Sequence, residues 1–138
     1  MTHAAGFTQL QAAQAQLETA LALFLDGSDY LSAITLAGAA DNLTCQMMPK
    51  GTHSIAGNAK VFAWLVEKSG GVALSEKAAT TELNDARDWL KHYKPGSVMT
   101  FDPKARAQEM LERAVYNTLV LTGNESERMR RFHKECAT

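Results

Sequence analysis

Asn84, Arg87, Asp88, Lys91 and His92 fall at i, i+3, i+4, i+7 and i+8 of one stretch, a spacing that gathers side chains on one side of an α-helix. They bring together an amide, a guanidinium, a carboxylate, an ammonium and an imidazole. That set suits a phosphate: arginine offers a fork of donors, lysine a point charge, and histidine gives or takes a proton near neutrality. An ordinary solvated helix face carries the same residue types, so surroundings decide between the two readings. Five residues at about 100° each leave Arg87 and His92 roughly 140° apart on an ideal helix. They can meet only through the reach of the arginine, a distorted helix end before Pro95, or a second copy of the chain. Arg128 and His133 repeat the spacing nearer the C-terminus.

The helix that carries these residues is expected over about 76–93, with Leu83, Ala86, Leu90 and Tyr93 as its packing stripe and Pro95-Gly96 as its stop. Trp89 lies on the flank of that stripe, and large aromatics concentrate at interface centres, so a homodimer using this helix is expected. A first helix over about 8–26 places Leu10, Ala13, Leu17, Leu21 and Phe24 on one face and stops at Gly27. Ser28 is a candidate N-cap for a second helix to about residue 48, apolar nearly all round and therefore central. A third is expected over about 55–68. Asp102-Pro103 opens the last, an Asp cap followed by proline at the first helical position, and Gly123 closes it. Its stripe is Ala107, Met110, Leu111, Ala114, Val115, Thr118 and Leu121, which assigns it a structural role.

These elements predict an all-α fold, an antiparallel bundle of four to five helices in one domain over 1–138, with the core at about 8–122 and a polar tail at 124–138. Composition agrees: 138 residues, 46% hydrophobic, 21% charged and only three prolines, with no run of alternating β-formers. A formal net charge of -1 excludes a generally basic nucleic-acid coat but not a local basic groove. Cys45 and Cys136 have no metal-ligand spacing, and no Glu-x-x-His pair supports a di-metal bundle, so no metal or cofactor is expected. The N-terminus shows no leader pattern and no apolar run spans a bilayer, which points to a cytoplasmic protein without membrane contact. Asp41, near the end of the buried helix, could reach the motif helix. His53 reads as a loop residue, and the tail with Arg128, Arg130, Arg131 and Lys134 as solvated or touching nucleic acid.

The run Arg87-Asp88-Trp89-Leu90-Lys91-His92 resembles the signature of HEPN domains, an arginine, a polar residue, and a histidine four to six positions after the arginine. The order of other features over about 8–122 is similar: an Ala-rich helix with acid near its end (Leu36-Ala37-Gly38-Ala39-Ala40-Asp41-Asn42-Leu43), then a loop with Thr52-His53-Ser54, then another amphipathic helix. The resemblance implies a metal-independent ribonuclease acting as a homodimer, with ties to toxin or defence systems. It makes His92 the acid or base on the RNA 2′-hydroxyl or leaving oxygen, Arg87 the holder of the scissile phosphate, and Asp88 the group that orients one of them. Asn84 and Lys91 join as substrate-binding candidates from geometry alone. Asp88 departs from the commonest asparagine and puts negative charge beside a phosphate site. Some HEPN-like domains are inactive, so a catalytically silent dimerisation or interaction module, pairing with another protein, stands as the alternative. A further likeness, to short bacterial proteins with a Leu-Ala-Gly-Ala-Ala-acid helix and a later Lys-Pro-Gly…Thr-Phe-Asp-Pro stretch, implies no activity.

Overall fold

Thr8 opens the first helix with a reciprocal cap: its hydroxyl accepts from the Gln11 N–H at 3.0 Å, and the Gln11 side chain accepts from the Thr8 N–H at 2.8 Å. This helix, α1, spans Gln9–Asp26 and ends where Gly27 adopts φ 65°, the left-handed C-cap for which glycine carries no steric penalty. α2 spans Tyr30–Met47. Its cap is Asp29, not Ser28, because the Asp29 carboxylate accepts from both the Ser32 N–H and the Ser32 hydroxyl. Those two hydrogen bonds, the hydroxyl's first, hold the Asp29 carboxyl below its ordinary range.

This computed structural model describes residues 3–49 and 76–136, and every regular element among them is a helix. α3 spans Glu76–Lys91, α4 Pro103–Thr122 and α5 Glu127–Cys136. The helix expected over 55–68 and the candidate His53 lie outside the described residues, as does the side chain of Leu83. None of the helices described is long and apolar enough to cross a membrane.

The core forms where three stripes meet. Ala13, Leu17, Leu21 and Phe24 of α1 and Ala33, Ile34, Ala37 and Ala40 of α2 are buried with Ala107, Met110, Leu111, Ala114 and Val115 of α4. α2 makes the largest interfaces, with α1 on one side and α4 on the other. Alanine and glycine on α2 let both neighbours come close, which is why the most uniformly apolar helix sits centrally. Asp102 caps α4 through the Ala105 N–H at 3.2 Å, with Pro103 inside the first turn. Asp102→Ala is expected to cost about 1 kcal/mol, and Leu111→Ala about 2–5 kcal/mol because its side chain is fully buried. Urea denaturation checks both; two variants indistinguishable from the parent would mean that α4 does not hold the core.

The segment expected to be a polar tail is instead α5. Ser126 starts it, its hydroxyl accepting from the Met129 N–H at 3.2 Å. Met129 and Phe132 then enter the core, and Phe132 stands edge-on to Phe24 with ring centroids 5.5 Å apart. The arginines on its outer face have partners in the chain: Arg128 with Glu18 at 3.3 Å, Arg130 with Glu125 at 3.4 Å, and Arg131 with Glu135 at 3.2 Å.

Candidate functional site

α3 docks on the bundle through Ala86, which is buried, and Leu90, which is half-buried against the core. Asn84 does not lie on the open face where it was expected. It is 6% exposed, and its side-chain oxygen accepts from Arg113 Nη2 at 2.8 Å. The same Arg113 nitrogen donates to Asp41 Oδ2 at 2.7 Å, while Asn117 Nδ2 donates to Asp41 Oδ1 at 3.1 Å and to Thr44 Oγ1 at 3.3 Å. Asp41 is completely buried. Loss of water pushes its carboxyl above the ordinary carboxylate range, against the opposing pull of Arg113, Arg87 and Asn117. A polar knot therefore ties α2, α3 and α4 together inside an otherwise apolar core.

Arg87 lies over this knot. Its aliphatic stem crosses α2 at Gly38, where a Cβ would come within 2.5 Å of Arg87 Cδ and 2.7 Å of Cγ. Arg87 Nη1 is 3.9 Å from Asp41 Oδ2, and Nε and Nη2 each donate to Asp88 Oδ1 at 3.3 Å. Arg87 and Lys91, one turn apart, line a groove of about 370 Å³ between α2 and α3, whose other wall is Thr35, Gly38, Ala39, Asn42 and Leu43.

His92 is exposed and does not line the groove of Arg87; it lines a neighbouring surface depression with Trp89, Tyr93, Lys94 and Ser97, and Lys91 borders both. The helix is regular up to this point, since the His92 N–H donates to the Asp88 carbonyl at 3.0 Å. Of the three routes by which Arg87 and His92 could meet, the distorted helix end is absent and the reach of Arg87 is directed onto α2. A single copy of the chain therefore brings together Arg87, Asp88 and Lys91 but not His92.

One aromatic lies where it was expected and one does not. Trp89 lies on the flank of α3, where its Nε1–H donates to Ser97 Oγ at 3.0 Å and the indole stands edge-on to Phe101 at 6.4 Å. Tyr93, expected in the packing stripe, is 90% exposed because α3 ends two residues before it. Cys45 and Cys136 are half-buried, and burial pushes the Cys136 thiol up. Among the described residues no three His, Cys, Asp or Glu side chains cluster as metal ligands would.

Sequence reading missed Arg113 and Asn117. A signal for them was present: each interrupts the apolar stripe of α4, one turn apart, as Asp41 and Thr44 interrupt α2. Polar residues set into two neighbouring apolar helices have only each other to bond with. Comparison with protein-family models, with curated proteins and with solved structures finds no match to this chain, so its own residues are the ground for any statement about its chemistry.

Proposed function

We propose that the chain is an HEPN-like domain, an antiparallel helical bundle that cleaves RNA without a metal ion and works as a homodimer. The observation that carries this reading is the placement of Arg87 and Lys91 along one groove with exposed His92 just around the end of the same helix. Two copies facing each other across α3 bring the His92 of one beside the Arg87 groove of the other, and a symmetric pair makes this arrangement twice.

In that cleft the imidazole removes the proton of the RNA 2′-hydroxyl, whose oxygen attacks the adjacent phosphorus. The bond to the 5′-oxygen breaks, that oxygen takes a proton from water, and the other product ends in a 2′,3′-cyclic phosphate. Arg87 offsets the charge that grows on the phosphoryl oxygens, and Asp88, bonded to its Nε and Nη2, fixes the plane of the guanidinium. Lys91 adds a point charge from the same groove. Asn84 acts through the buried knot, since its oxygen is bonded to Arg113.

The test is purified protein with mixed single-stranded RNAs and excess chelator. Cleavage is expected to persist in chelator, and His92→Ala to lower it by about 10²–10⁴-fold while RNA binding survives. Cleavage that stops with chelator, or that His92→Ala leaves intact, would contradict the mechanism. A second reading, a catalytically silent dimerisation or interaction module, is favoured by one observation: Arg87 already has Asp88 bonded to it and Asp41 nearby. Absence of cleavage for every RNA tried would select that reading.

A further inference from the structure

We infer that the depression at the end of α3 is a base platform, in which the ring of Tyr93 stacks on an unpaired base of single-stranded RNA. The inference deepens the RNA reading above and rests on it for the polymer that carries the base.

Preorganisation is the first ground. Trp89, Tyr93 and Ser97 line a depression of about 530 Å³, a volume that admits a base and the sugar attached to it. Its walls are braced from within the chain. The Lys94 carbonyl accepts from the Ser97 N–H at 3.0 Å, and Gly96 takes φ 68°, the left-handed residue that a tight turn of this kind requires after proline. Trp89 ties that turn to α3 through Ser97 Oγ at 3.0 Å, and Phe101 stands edge-on to the indole. Tyr93 lines the same depression yet is 90% exposed, so an aromatic ring stands open to solvent beside a rigid wall.

Charge and composition are the second ground. Lys91, His92 and Lys94 line the depression together with the two aromatics. Lysine is depleted where two proteins meet, which disfavours a protein partner on this patch. Aromatic rings interleaved with cations suit a flexible single strand. Each of its bases has a face to stack, and its backbone carries the complementary charge. Duplex RNA offers no such face, because its bases are already stacked on one another. His92 precedes Tyr93 directly, so a base held here belongs to a nucleotide at or beside the bond on which the imidazole acts.

Fluorescence anisotropy of a labelled single strand at low salt tests the platform. The strand is 2′-O-methyl RNA, which lacks the attacking hydroxyl and so stays whole during the titration. Tyr93→Ala is expected to weaken its binding by about tenfold, and Tyr93→Phe by less than about twofold, since the ring and not the hydroxyl stacks. A duplex of the same sequence is expected to bind the parent and Tyr93→Ala alike. Tyr93 is exposed, so both variants are expected to melt with the parent. A single strand bound equally by the parent and Tyr93→Ala would overturn the platform while leaving the cleavage reading standing. Equal losses for strand and duplex would also overturn it, since stacking discriminates between them. A dimer that dissociates in Tyr93→Ala would do the same, by making the patch a contact between copies. A parent that binds no RNA would remove platform and cleavage reading together. Binding that depends on the Tyr93 ring, with no cleavage of the unmodified strand, would uphold the platform and remove the cleavage reading.

Discussion

Arg113→Met is expected to destabilise the protein by about 3–5 kcal/mol at neutral pH, because it strands the Asp41 charge in the core. Arg113 and Asp41 are both buried, and the 2.7 Å bond between them is the shortest link across α2 and α4 in the knot. Burial already raises the Asp41 carboxyl above its ordinary value of 3.8, and removing Arg113 removes the largest opposing pull. A carboxyl raised on folding binds its proton more tightly in the folded chain. Its contribution to stability is complete below the unfolded value and is lost as pH rises through the folded value. The loss in Arg113→Met should therefore shrink on acidification, and adding Asp41→Asn should abolish that pH dependence, since an amide cannot ionise. Denaturant titrations across pH measure this directly. A loss that stays constant with pH would show that Arg113 contributes through packing and not through its charge.

Phe132→Ala is expected to cost about 3–5 kcal/mol, the range for deleting a buried aromatic. Phe132 is 1% exposed and stands on Phe24, so its loss opens a cavity at the junction of α1 and α5. Arg131→Ala on the neighbouring outer face should change stability by less than about 0.5 kcal/mol. Thermal or chaotrope melts of the pair give the comparison. Equal, small effects would mean that α5 is not part of the folded core.

Elements whose signals are local were legible in the residues. Thr8 and Gly27 bound α1, and Asp102-Pro103 and Gly123 bound α4, because caps are decided within a few residues. The shift from Ser28 to Asp29 at the start of α2 is a contest between adjacent capping residues, settled by which side chain reaches Ser32. α5 escaped because Met129 and Phe132 are its only large apolar residues in a run of charge, a pattern that reads as solvated until Phe24 is placed beside it. The candidate site was legible in kind, but its surroundings were not. Helical spacing grouped Asn84 with Arg87 and Lys91, and they do share a side. Arg87 and Lys91 face α2, while Asn84 is buried and accepts a hydrogen bond from Arg113 of α4, a partner 29 residues away. Spacing marks Arg113 as a polar interruption of the α4 stripe, but which residue it bonds across such a length is set by packing.

The central claim is that one chain supplies Arg87 and its partner supplies His92. It is tested most directly by mixing two inactive variants, Arg87→Gln and His92→Ala, and assaying RNA cleavage in chelator. In a mixed dimer one of the two clefts joins the intact Arg87 of one chain to the intact His92 of the other. Random exchange should then restore about one quarter of the parent activity, since half the dimers are mixed and each has one working cleft. The account predicts that recovery. A mixture whose subunits exchange yet stays as inactive as its components would contradict it.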